Sequence, residues 1–155
     1  MISERSIDMQ IKFEGTAEIA APSKALFEFL TDTSRVAGCI PDTEGFTKID
    51  DKNFSVNVRV GIGFVRGTFN MKGRIDEAGS GRASYSLEGS GVGSKVGVSL
   101  SFELGGSGDS SSMHWNAVFT LTGLVSGVPE AVMKKKSKEQ IDLILDNIKG
   151  SVEKV

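Results

Sequence analysis

The stretch SSMHWNAVFTL, Ser111 to Leu121, decides how the rest of the chain is read. Met113, Trp115, Ala117, Phe119 and Leu121 share one parity, and His114, Asn116 and Thr120 share the other, with Val118 the exception. Successive side chains of a strand point to opposite faces, so this alternation predicts a strand with one covered face and one wet face. The stretch also holds the only histidine and the only tryptophan of the chain. Parity sends His114 to the wet face and Trp115 to the covered one. A histidine on a solvated strand, with no second histidine to join it, is expected to be surface decoration and not a metal ligand or catalyst.

The same period runs outward from this stretch. Ile11, Phe13, Gly15, Ala17 and Ile19 alternate with Lys12, Glu14, Thr16 and Glu18. Further alternating runs pass through Phe54 to Ile62, Val65 to Ile75, Ser84 to Glu88 and Lys95 to Leu104. The breaks IDDKN, EAGSG, GVGS and GGSGDSSS are rich in residues that accept positive φ or cap their own turns. Short gaps between alternating runs predict hairpins, hence an antiparallel sheet. Between the first run and the rest lies APSKALFEFLTDTS. Pro22 can open a helix there, with Leu26, Phe27 and Leu30 as its apolar stripe. A second short helical turn is expected over Arg35 to Ile40, stopped near Pro41. After Pro129 no strong breaker appears, and Ile141, Ile144, Leu145, Ile148 and Val152 recur at helical spacing. This predicts a long terminal helix whose apolar stripe weakens over Lys134 to Gln140. The order is one strand, one or two short helices, about six strands and a long helix, an α+β fold with the helix covering one face of the sheet.

Composition bounds the function. The chain has 155 residues, a formal net charge of −2 and a pI near 5.5. That length fits one domain, and the charge gives no basic field for nucleic acid. The single cysteine, Cys39, excludes an internal disulfide and fits a reducing compartment. No apolar run approaches a membrane span, and the N-terminus MISERSID lacks the apolar core of a signal peptide. A cytoplasmic protein is expected, peripheral at a membrane at most. No repeat, linker or second domain is visible.

The chemistry-bearing residues are few on the covered side. Acids and bases fall on the outward parity of the strands, and the inward parity offers one candidate acid or base, the Tyr85 phenol. Cys39 reads as a buried small residue, and Asp50 and Asp51 as turn-capping carboxylates. GSGVGS, Gly89 to Ser94, joins two strands and opens no helix, so it lacks what a phosphate loop needs. No cofactor or metal is called for by these residues. KKKSK, Lys134 to Lys138, spreads basic charge around the long helix. Lys134, Lys135, Lys136 and Lys138 form either a solvated face or a docking patch for anionic lipid headgroups or an acidic partner.

These segments carry a resemblance. FEGTAEIAAPSKALFEFLTD, the CIPD of Cys39 to Asp42, VRVGIGFVRGTFNMKGRI, GSGVGSKVGVSLSFEL and the terminal helix together resemble the family of the carbon monoxide dehydrogenase G-subunit. That family belongs to the START-like, birch-pollen-allergen-like superfamily. Asp42 stands where the family pattern has glycine and Phe64 where it has proline, changes confined to two loops. The resemblance implies a helix-grip fold over 9–155: a curved antiparallel sheet of six to seven strands wrapped around the long helix, with a cavity between them. Residues 1–8 are then expected to be a mobile lead-in. It further implies binding of lipid-like, quinone-like or other apolar molecules, in the service of carbon monoxide dehydrogenase or a related molybdenum hydroxylase. Longer members of the family carry a C-terminal tail that can anchor them; this sequence stops at Val155, so no such tether is expected.

The expectation is therefore a non-enzymatic binder or carrier of an apolar small molecule. Phe69, Met71, Tyr85, Leu100, Phe102 and Trp115 are the inward side chains expected to face its cavity. Gly67, Gly73, Gly89 and Gly91 fall on the same parity, where a missing side chain leaves space or lets the sheet bend. Two other readings stay open. One is a cyclase- or dehydratase-type enzyme that would use Tyr85. The other is a protein-interaction module with a filled core and the lysine cluster as its handle.

Overall fold

The computed structural model describes residues 9–106 and 108–153. The lead-in expected over residues 1–8 lies outside the described residues. The chain runs β1 (Met9–Ile19), α1 (Ser23–Leu30), α2 (Thr33–Ala37), β2 (Thr43–Lys48), β3 (Asn53–Ile62), β4 (Val65–Gly79), β5 (Arg82–Gly91), β6 (Ser94–Gly105), β7 (Ser111–Gly123), a single 3₁₀ turn (Leu124–Gly127) and α3 (Glu130–Glu153). The strands form one seven-stranded sheet in the order β1-β7-β6-β5-β4-β3-β2, antiparallel throughout. From β2 to β7 each strand pairs with the next in sequence, which is what short glycine-rich turns permit. Only β1 pairs across a long sequence gap, with Gly15 opposite Trp115. Register shifts between Glu44 and Phe46 and between Ile75 and Glu77 bend the sheet, so that it curls around α3.

β7 shows why one face is covered. Its odd residues from Ser111 to Leu121 are buried and its even ones half-buried. His114 lies on the outer face, its Nδ1 3.3 Å from the Thr16 hydroxyl of β1. Trp115 points inward over Gly15, where a Cβ would sit 2.8 Å from the indole Cζ2. The covered-parity glycines do a similar job. A side chain at Gly73 would collide with the Phe54 ring, and one at Gly91 would lie 2.6 Å from the Thr68 carbonyl. These glycines admit close neighbours; they do not line empty space.

Three elements differ from their sequence-based expectation. Over α1 the buried residues are Leu26, Phe29 and Leu30, while Phe27 is only half-buried. The stripe follows i, i+3, i+4, which places residue 29 and not 27 on the core side. The second helix starts earlier than Arg35, because the Asp32 carboxylate accepts from the Ser34 and Arg35 amides and caps it there. β2 has no alternation to betray it: all six of its residues are exposed at the sheet edge.

The sheet has two unlike ends. The closed end carries the β2–β3, β4–β5 and β6–β7 connections, with α1 and the last turns of α3 packed nearby. Lys149 Nζ donates to the Glu18 carbonyl at 3.0 Å, which fixes the end of α3 there. The open end carries the β3–β4 and β5–β6 turns, the 3₁₀ turn and the start of α3.

Candidate functional site

The stripe of α3 locates the site. Its buried residues are Met133, Ser137, Ile141, Ile144, Ile148 and Val152, spaced by three or four along the whole helix. One of them, Ser137, is small and polar. Beneath it lies an apolar hollow of about 140 Å³, between α3 and the open half of the sheet. Phe69 and Met71 of β4, Val96 and Leu100 of β6 and Leu121 of β7 contribute the sheet wall. Met133, Ser137 and Ile144 contribute the helix wall. The apolar stripe weakens in sequence over the turn of helix where space is left in the fold.

One rim of the hollow is polar. β2 pairs with β3 only as far as Val58, so Val60 and Ile62 continue along an uncovered edge. They share the lining with Arg59, Lys136 and Gln140. Arg59 is held by Glu44 at 3.2 Å, whereas Lys136 has no ion-pair partner among the described residues. An apolar body with a few polar groups at its rim is the usual make-up of a small-molecule site. A wider trough of about 710 Å³ lies on the wet face, lined by Asn70, Lys72, Ser86, Glu88 and Lys95 among others. It is open to solvent and mixed in charge, so it encloses nothing.

The six side chains expected at a cavity divide. Phe69, Met71 and Leu100 line the hollow. Tyr85, Phe102 and Trp115 are buried but are not part of its lining. The reason lies in α1, which touches β5, β6 and β7 and fills the closed half of the curl. Tyr85 is 1% exposed, and its hydroxyl donates to the Leu30 carbonyl at 2.8 Å. Burial pushes the phenol well above its ordinary range, with the charges of Asp32 and Cys39 adding to the effect. Cys39 is buried as well, and burial pushes its thiol up to about 11. Parity alone marks a side chain as inward; it does not say what fills the space opposite.

The lysine cluster also divides. Lys134 pairs with Glu130 at 3.9 Å and Lys138 with Asp142 at 2.8 Å, both along the helix itself. Lys135 and Lys136 have no ion-pair partner among the described residues. Asp50 lies in the β2–β3 turn and accepts from the Lys52 and Asn53 amides, each at 2.8 Å. Ile40, Val60, Ile62, Val125 and Gln140 complete much of the lining; alternation marks Val60 and Ile62 as strand residues but not as cavity residues, and it does not reach the other three. A signal for the helix side was present: Ser137 and Gln140 fall inside the weakened stretch of the stripe.

A curved antiparallel sheet gripping a long C-terminal helix, with two short helices after the first strand, is a START-like fold. Solved structures share the architecture. A conserved protein from Geobacillus kaustophilus superposes with a TM-score of 0.81 at 16% identity, covering 93% of this chain and 96% of that one. A START superfamily protein from Mycobacterium smegmatis gives 0.69 at 16% identity, covering 92% and 97%. A Streptomyces aromatase/cyclase gives 0.66 at 18% identity, covering 94% of each chain. No curated protein matches the sequence. The chain belongs to the family of the carbon monoxide dehydrogenase G-subunit, CoxG, whose model matches residues 15–153.

Proposed function

We propose that this protein binds and carries a small apolar molecule in the hollow beneath Ser137, without transforming it. The observation that carries this reading is the hollow itself, apolar within and polar at one rim. Its 140 Å³ is close to the roughly 150 Å³ of an engineered protein cavity that takes up benzene. One ring of a quinone-like ligand, or a short stretch of acyl chain, fits that space. A longer ligand would leave by the rim between β3 and α3. The position of Tyr85 supports the non-enzymatic part of this reading. Tyr85, the sheet-borne candidate acid or base, has its hydroxyl committed to the Leu30 carbonyl away from the hollow. Membership of the CoxG family supports a cytoplasmic accessory role for carbon monoxide dehydrogenase or a related molybdenum hydroxylase.

Ser137→Leu tests the reading. A leucine at this position continues the apolar stripe and occupies the hollow. Native mass spectrometry with solvent extraction would identify any apolar molecule that purifies with the wild type. Calorimetric titration with a soluble short-chain quinone and with a medium-chain fatty acid would then compare the two proteins. Uptake by the wild type that is lost in Ser137→Leu is the expected result. Equal uptake by both, or none by the wild type, would rule the hollow out as a carrier site.

A further inference from the structure

The open end of the sheet carries a feature that the hollow does not require. Three separate loops each present one large apolar side chain to solvent there. Phe64 in the β3–β4 turn is 62% exposed, Val92 in the β5–β6 turn 37% and Leu124 in the 3₁₀ turn 54%. They form one patch through the glycines between them. A Cβ on Gly67 would lie 2.7 Å from Val92 Cγ2, one on Gly93 3.0 Å from Leu124 Cδ1, and one on Gly127 3.6 Å from Phe64 Cζ. Val132, exposed in the first turn of α3, lies at the same end.

The loops of this patch carry positive charge only, and Glu130 at the start of α3 is paired with Lys134 at 3.9 Å. Residues 61–67, 89–96 and 123–129 contain no Asp or Glu. Arg66, Lys95 and Lys135 are exposed beside these segments or on the next turn of α3, and none has an ion-pair partner among the described residues. At the opposite end three cations are taken up by carboxylates, in Lys48–Asp51, Arg74–Asp76 and Arg82–Glu103. Val92 adds an independent sign. It holds φ of 49°, a conformation that costs a β-branched residue and suits asparagine or glycine. Strain retained to present an apolar side chain to water points to a use for that side chain.

We propose that the open end docks onto an anionic lipid bilayer, with Phe64, Val92 and Leu124 entering the interface and Arg66, Lys95 and Lys135 meeting the headgroups. Apolar tips ringed by unpaired cations combine the two attractions a bilayer of this kind offers, burial of apolar surface and electrostatic attraction. The hollow lies at the same end, lined by Ile62 next to the β3–β4 turn, by Val96 just past the β5–β6 turn and by Val125 of the 3₁₀ turn. A docked protein would thus present its cavity to the membrane. Docking itself does not depend on what the cavity holds, so it is read by an assay separate from ligand uptake.

Flotation with phosphatidylcholine vesicles, with and without phosphatidylglycerol, tests this on the full chain. The wild type should float with the anionic vesicles, and less so as salt is raised. Replacing Arg66, Lys95 and Lys135 by serine should weaken that binding roughly a hundredfold. Phe64→Ser with Leu124→Ser should weaken it at least roughly tenfold while leaving quinone uptake in solution unchanged. Val92→Asn relieves the turn, so its melting temperature should hold or rise while vesicle binding falls. Wild-type protein that floats with neither vesicle would overturn the proposal and assign the patch to a protein partner. Tip variants that bind as well as the wild type would overturn it too.

Discussion

The two ends of this sheet share strands, register and parity, yet they are built for opposite purposes. At the closed end, α1 lies against the inner face, Tyr85 reaches across to the Leu30 carbonyl, and Lys48, Arg74 and Arg82 sit on carboxylates. At the open end, α3 passes over the same sheet with a serine where its stripe would call for a large apolar residue, and Arg66, Lys95 and Lys135 have no ion-pair partner among the described residues. The closed end therefore holds the fold and the open end holds space. Inward parity has a different consequence at each end, because a second helix fills one half and nothing fills the other.

The sharpest test of that contrast is truncation. Trp115 is buried in the closed half with its ring packed over Gly15. Trp115→Ala leaves a void with no helix free to collapse into it and should destabilise the protein by about 3–5 kcal/mol. Val96, half-buried at the hollow, already faces space, so Val96→Ala should cost about 1 kcal/mol or less. Equal losses in denaturant unfolding would erase the distinction between the halves. Ser137→Leu probes it from the other side. Filling the hollow should raise stability by about 0.5–2 kcal/mol while ending ligand uptake, the trade expected when a cavity is kept for function. A loss of stability would mean that the space under Ser137 is too narrow for a leucine and that the wall there is already packed.

Tyr85→Phe is a smaller perturbation of the closed end. It removes the hydroxyl and strands the buried Leu30 carbonyl acceptor at one position, which should cost about 1–2 kcal/mol. On the carrier reading it leaves quinone binding unchanged, since Tyr85 lies outside the hollow's lining. Loss of binding, or loss of a measurable conversion of the ligand, would bring the phenol back as a working group and move the protein towards the enzymes that share its fold.

How much of this was legible in the chain follows from the same contrast. Alternation locates six of the seven strands, because each of those has one covered face. β2 escapes because an edge strand with every residue exposed has no face to alternate. Phe29 was visible in principle, since i, i+3, i+4 from Leu26 reaches 29 and 30. The cavity was legible only in part. Phe69, Met71 and Leu100 share their parity with Tyr85, Phe102 and Trp115, and what separates the two sets is α1, an element far away in sequence. The weak turn of the α3 stripe was the local sign. It reads as a lapse in amphipathicity until the sheet opposite it is known to be apolar, and then it reads as a hole. The lysines behave likewise: in sequence they are one run, but the helix assigns Lys134 and Lys138 to carboxylates one turn away.

The smallest expected effect concerns how the closed end is fastened. The Glu153 carboxylate accepts from the Ala20 amide at 2.7 Å and from Lys149 Nζ at 2.7 Å, tying the last turn of α3 to the strand–helix junction after β1. The Ala20 amide, with the Lys149 ammonium behind it, holds the carboxyl below its ordinary value. A carboxyl with a depressed folded-state pKa contributes stability that is present above its unfolded value and is lost as pH falls through the folded one. Glu153→Gln should therefore lower the melting temperature slightly at neutral pH, and the gap to the wild type should close below about pH 4. The group is only half-buried and still reached by solvent, so added salt should narrow the gap as well. A gap that stays constant across the acid range would show that the contact works through hydrogen bonding and packing alone. The end of α3 would then be held without charge, and the pairing of charges would cease to distinguish the closed end at this point.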